Sequence, residues 1–109
     1  MTTADRRMEI INILIVRRFV TARELSEELH VNIRTIQKDI LALSRGFPIY
    51  TKQGGGGGIF IGEHYKPYIN TLTAEEVERL KKMYRASTGV DKKVLYQVLR
   101  KYGPDKLEL

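Results

Sequence analysis

The amino-acid sequence predicts a mainly α chain with one small β-hairpin, three short helices before the hairpin and two after it. Three observations carry that prediction. Apolar residues recur at helical spacing in five stretches between residues 5 and 102. Helix-starting residues (Thr21, Asn32 and Thr73) stand just ahead of three of those stretches. The periodicity changes over residues 48–61, where two β-rich runs flank the five glycines Gly54 to Gly58.

The first helix spans Asp5 to Arg18, with Ile10, Ile11, Leu14 and Ile15 on one apolar face that Met8 and Ile13 extend. Phe19-Val20 then makes a short extended bridge. Thr21-Ala22-Arg23-Glu24 reads as a capping box, in which the hydroxyl accepts from the third helical amide and Glu24 reaches back to the amide of Thr21. It opens a second helix from Ala22 to His30 that buries Leu25 and Leu29. Asn32 caps a third helix, Ile33 to Ser44, by accepting an orphan amide near Thr35. The core face of that helix is Ile33, Ile36, Ile40 and Leu43, which turns Arg34, Thr35, Gln37, Lys38 and Leu41 outward or sideways; Gly46 ends it.

Pro48 to Gln53 and Ile59 to Ile61 are the hairpin arms, joined by a glycine loop long enough to project and move. A second capping box, Thr73-Ala74-Glu75-Glu76, opens a fourth helix to Ala86 with Val77, Leu80 and Tyr84 on one stripe. A fifth helix follows Ser87-Thr88-Gly89, burying Val94, Leu95, Val98, Leu99 and Tyr102, until Gly103-Pro104 stops it. The expected organisation is a first domain over residues 1–62, a linker over 63–72 and a helical extension over 73–109.

Composition narrows the function classes. The 109 residues, 42% hydrophobic and 29% charged, suit one folded domain with an appended helical piece. With no cysteine there is no disulfide, thiolate metal site or cysteine nucleophile, and a reducing cytoplasmic setting is expected. The longest apolar stretch, Ile10 to Val16, is broken by Asn12 and closed by Arg17-Arg18, short of the ~20 residues of a membrane span. Glu9 at its start and the lack of a small-residue cleavage site argue against a signal peptide. Nineteen Lys and Arg against thirteen Asp and Glu leave a net charge of +6, which favours a polyanionic partner.

Helix, short strand, helix, tight turn, helix, hairpin is the order of a winged helix-turn-helix. The third helix divides its faces as a groove-binding helix must: an apolar side against a scaffold, and an outward side able to hydrogen-bond base edges. Arg34 suits guanine O6 and N7, Gln37 suits adenine N6 and N7, and Thr35 suits a phosphate or a thymine methyl. Residues 33–53 hold Arg34, Lys38, Arg45 and Lys52 against Asp39 alone, 4 − 1 = +3, and Asp39 is expected to pair locally with a cation that fixes the helix. Taken singly, these residues also fit an ordinary solvated helix face; the ordered series of elements favours the binding reading. The glycine run is not a nucleotide-phosphate loop, because Gly57 to Gly62 continues with Glu63 and His64, nor a dinucleotide fingerprint, because the third glycine would fall on Ile59, Phe60 or Ile61. It remains a wing tip whose Gly55, Gly56 and Gly57 could donate amides to phosphate, with Lys52 and Lys66 near the base and Thr21 and Arg45 as further backbone contacts; a plain flexible turn explains it equally well.

Val31-Asn32-Ile33-Arg34-Thr35-Ile36-Gln37-Lys38-Asp39-Ile40, with Phe47-Pro48-Ile49 and the glycine run, resembles DeoR-type winged-helix regulators, particularly the N-terminal domain of WYL-domain transcription factors. The likeness covers roughly residues 5–61. It implies double-stranded DNA binding in transcription regulation, with recognition residues at Asn32, Arg34, Thr35, Gln37 and Lys38. Asn32 stands in place of the usual Ser and keeps the cap, Lys38 replaces an Arg and loses its bidentate fork, and Ile59 replaces the wing Tyr. Residues 72–80 resemble the helical linker after the wing, and the chain ends where the sensory WYL domain would begin, so no small-molecule effector domain is expected.

Residues 79–101 carry eight cations against Asp91, 8 − 1 = +7, which suits a second DNA-contacting surface or, more simply, the solvated faces of two amphipathic helices. Their apolar stripes could pack on the first helix or pair two chains into a homodimer. Enzyme chemistry and cofactors are not expected: His30 and His64 lack the partners of a metal site or triad, and Glu27-Glu28 and Glu75-Glu76 sit on exposed helix faces. Two other readings stand beside duplex binding. One is a winged-helix protein-interaction module; the other is RNA or single-stranded DNA binding through Tyr50, Tyr65 and Tyr68.

Overall fold

A computed structural model describes all residues, Met1–Leu109, in the order α1 (Thr3–Arg17), β1 (Phe19–Val20), α2 (Ala22–Leu29), α3 (Ile33–Leu43), β2 (Ile49–Lys52), β3 (Gly58–Ile61), α4 (Ala74–Ala86) and α5 (Gly89–Tyr102). Five helices and a small antiparallel sheet in this order are a winged helix-turn-helix followed by two C-terminal helices. The chain divides into two compact units, Met1–Tyr65 and Lys66–Leu109.

In the first unit α1 supplies the largest share of the core: Ile10 and Leu14 are fully buried and Ile11, Ile13 and Ile15 nearly so. Leu25 of α2, Ile36, Ile40 and Leu43 of α3 and Ile49, Ile59 and Ile61 of the sheet close over them. Each such side chain stabilises the fold by about 1.5–3 kcal/mol through burial. α1 begins two residues earlier than its apolar spacing predicts, because Thr2 forms a capping box with Asp5; the expected signature is Glu or Gln at that third position, which hides this one. Arg18 and His30 end α1 and α2 in the left-handed region, at φ 66° and 55°.

Phe19-Val20 is more than a bridge. It pairs antiparallel with β3, Phe19 opposite Phe60 and Val20 opposite Ile59, so the sheet has three strands in the order β1-β3-β2. The sequence order gives this short strand, but two residues give no periodicity from which to read its pairing partner. In the hairpin Ile49 faces Ile61 and Thr51 faces Ile59 on the core side, while Tyr50 faces Phe60 and Lys52 faces Gly58 on the other. Arg18 donates to the carbonyls of Gly62, Glu63 and Tyr65, tying the chain after the hairpin to the end of α1. Tyr65 is half-buried and edge-on to Phe47.

Three burial expectations are corrected. Met8 does not extend the buried face of α1 and is 48% exposed near the start of the helix. Ile33 is 38% exposed, since the first turn of α3 extends past the core. Val94 is 48% exposed, and of the predicted α5 stripe only Leu99 is fully buried. A pair of helices covers one narrow stripe on each, leaving the flanking positions open. Within this second unit Val77 is also buried, Tyr84 packs on Tyr96, Tyr68 on Tyr102, and Lys66 pairs with Asp105. No helix is long and apolar enough to cross a membrane.

Candidate nucleic-acid interface

The outward side of α3 is a ridge. At ~100° per residue Arg34, Gln37, Lys38 and Leu41 fall within about 100° of arc, and all four are exposed. Its opposite side is held from below. Asp39, 1% exposed, lies among the core residues of α3 and accepts from Arg6 Nε at 2.5 Å, Arg6 Nη2 at 2.9 Å and Arg7 Nε at 2.9 Å. The cation expected nearby in sequence is therefore replaced by two from α1, more than thirty residues away. A carboxylate at this depth needs such partners, because a buried unpaired charge is strongly destabilising. Burial pushes the Asp39 carboxyl up, but the hydrogen bonds and charges of Arg6 and Arg7 outweigh it and hold the group below its ordinary range. The hydrogen bond to Asp39 in turn raises Arg6.

With Asp39 neutralised inside, the four cations of the ridge and hairpin are left unopposed. No ion pair within the chain engages Arg34, Lys38, Arg45 or Lys52. Arg34 and Lys38 stand on the ridge, Arg45 is exposed in the turn beyond its C-terminal end, and Lys52 closes β2. Asn32 caps α3 through the Arg34 amide at 2.8 Å, one residue earlier than expected, because its short side chain reaches the second helical N–H. Thr35 is half-buried at the edge of the ridge.

Between α3 and the hairpin lies a cleft of about 580 Å³. Gln37, Leu41 and Ser44 form one wall, Thr51, Lys52, Gln53, Gly54, Gly57 and Gly58 the other, and Thr21 and Ala22 stand at the start of α2; Ile36, Ile40, Ile49 and Ile59 are the floor. The structure thus brings Thr21, Gln37, Lys52 and Gly57 to one concavity, with Arg34 and Lys38 on the same helix as Gln37. Thr21 Oγ1 accepts the Glu24 amide at 3.1 Å and keeps its own hydrogen to donate. At the hairpin tip Gly54 and Gly56 take φ 89° and 74°, conformations that favour glycine, and the Gly57 amide donates to the Gly54 carbonyl at 2.9 Å. Gly55 and Gly56 are exposed.

The tyrosines separate. Tyr50 is 61% exposed on the outer face of the sheet, whereas Tyr65 and Tyr68 are engaged by Phe47 and Tyr102. No three of the His, Asp and Glu residues gather as a metal site would require. Sequence reasoning missed the Arg6–Arg7–Asp39 cluster, which joins residues distant along the chain, and it assigned Leu41 no part; the exposed position of an apolar residue within a polar stripe is a signal that was present in the sequence.

Comparison with known proteins bears on this arrangement. Residues 6–58 match the HTH domain family. The chain is 42% identical over 74 residues to the uncharacterized HTH-type transcriptional regulator YobV of Bacillus subtilis (strain 168), an alignment that takes in 67% of this chain and 24% of that relative. The chain thus spans about a quarter of the length of the curated relative it matches. No solved structure matches it significantly. The match over residues 6–58 falls within the first unit, whose order of elements has the helix-turn-helix fold.

Proposed function

We propose that the chain binds double-stranded DNA sequence-specifically as a small transcriptional regulator, with α3 in the major groove and the hairpin tip on the phosphate backbone. The observation that carries this reading is the exposed ridge of α3, whose cations have no partner in the chain while its one acid is buried and neutralised. In this reading Arg34 bonds guanine O6 and N7, Gln37 bonds adenine N6 and N7, and Asn32, Thr35 and Lys38 complete the recognition set. Thr21, Arg45, Lys52 and the amides of Gly55 and Gly56 position the protein on phosphates; the Gly57 amide, expected from the sequence to join them, is taken instead by the Gly54 carbonyl. The regulator is of the DeoR type, related to the N-terminal part of WYL-domain factors. It works by binding, without catalysis or cofactor, in the cytoplasm.

Residues 1–62 are the DNA-binding domain in this proposal, and residues 73–109, past a linker, pair two copies into a homodimer. Dimerisation adds affinity that one winged helix lacks and implies a two-fold operator. The test is binding of Arg34→Ala to a duplex selected from random fragments by the intact protein. A loss of about 1–3 kcal/mol on that duplex with little change on random DNA is expected; equal loss on both makes Arg34 a phosphate anchor. Competition between duplex, single-stranded DNA and RNA separates the reading from single-strand binding, and no nucleic-acid binding at all leaves a protein-interaction module.

A further inference from the structure

We infer that Leu41 is a specificity-determining residue that reads the 5-methyl group of a thymine. The inference rests on the duplex-binding reading above and deepens it. Leu41 is 65% exposed, the most open large apolar side chain of the first unit after the N-terminal Met1. It does not stand at an edge of the ridge: at ~100° per residue it falls about 20° from Arg34, between Gln37 on one side and Lys38 on the other. An apolar side chain there stabilises nothing in the isolated chain, since it faces water.

The base edges of the major groove decide what such a side chain can recognise. They present hydrogen-bond donors and acceptors at every pair, and one apolar group, the thymine C5-methyl. A leucine pushed against a donor or acceptor would strip it of water and return no hydrogen bond; against a thymine methyl it buries apolar surface on both sides. Leu41 also lines the cleft between α3 and the hairpin, whose floor is Ile36, Ile40, Ile49 and Ile59, so the space beside it is apolar at depth. Seven residues separate it from Arg34, about 10 Å along the helix at ~1.5 Å each, or roughly three base-pair steps. The thymine therefore lies within about three base pairs of the guanine that Arg34 reads.

The experiment uses the duplex selected by the intact protein and a set of variants, each with one thymine replaced by uracil, which removes a single methyl and leaves every hydrogen-bonding group in place. At one or two positions near the Arg34 contact, uracil is expected to weaken binding of the intact protein roughly three- to fivefold, the worth of one buried methyl. Leu41→Ala should bind the thymine and uracil duplexes alike, and Leu41→Met should restore the difference. Leu41 is exposed enough that neither change threatens folding. No uracil-sensitive thymine, or a sensitivity that persists in Leu41→Ala, overturns the inference while leaving duplex recognition intact. A changed molecular mass of Leu41→Ala by light scattering marks a protein contact and overturns it too. Failure to enrich any duplex sequence removes the functional reading and this inference together, and is distinguishable because the intact protein then shows no preference among random fragments.

Discussion

At the scale of single residues, Asp39 is the position where fold and function meet. It shares α3 with the exposed ridge proposed above to face DNA, and its carboxylate is anchored to Arg6 and Arg7 of α1. Because these partners hold its pKa below the ordinary carboxylate value, the folded state gives up this proton more readily than the unfolded chain does. The resulting stabilisation is in place above the ordinary range near ~4 and fades as pH falls through the lower pKa of the folded state. Asp39→Asn keeps the shape and removes the charge, leaving Arg6, 14% exposed, without its counter-ion. It should lower stability at neutral pH by about 3 kcal/mol. The acid limb should flatten as well, which urea midpoints taken between about pH 6 and about pH 2 will measure. An acid limb as steep as that of the unaltered protein would mean that other carboxylates govern acid unfolding.

Among the elements, the caps and the hairpin follow from local chemistry to different extents. Thr21 and Thr73 form the capping boxes their sequences announce, with Glu24 and Glu76 donating their amides at 3.1 Å. In return the Thr73 backbone N–H donates to Glu76 Oε1 at 2.7 Å and, with the Thr73 side chain, holds the Glu76 carboxyl below its usual range. The hairpin is legible from its glycines, but its function depends on where the tip lies relative to α3, which is a product of strand pairing with β1. Lys52 shares the cleft with Gln37 and Leu41, so the wing contact has a direct test. Lys52→Ala should weaken all duplexes to a similar degree, and the salt dependence of binding should fall by about 0.9 log units per tenfold salt, the share of one phosphate. An unchanged slope would place the hairpin tip away from the backbone.

For the whole molecule, the open question of assembly falls on the second unit. Val90 is 76% exposed and Val94 48%, one helical turn apart on α5, an apolar pair that the α4–α5 packing leaves uncovered. If the helical extension pairs two chains through this side, Val90→Glu combined with Val94→Glu should halve the mass seen by light scattering, with the helical content of the protein retained. A mass indifferent to both charges would remove this face from the proposed dimer. The ion pairs nearby, Glu75–Arg79 at 4.0 Å and Glu78–Lys81 at 3.6 Å, are exposed and contribute little either way.

Periodicity and capping chemistry are properties of neighbours along the chain, so the five helices, the hairpin and the outward set Arg34, Gln37, Lys38 and Leu41 could be read from residue order alone. Partnership across the fold could not. That Phe19-Val20 pairs with β3, that Asp39 answers to Arg6 and Arg7, and that Ile33 and Val94 stay open to solvent depend on which surfaces meet once the chain folds. Residue order sets what each helix offers and folding sets what it touches, because burial and ion pairing depend on distances in space, which the spacing of residues along a chain does not contain.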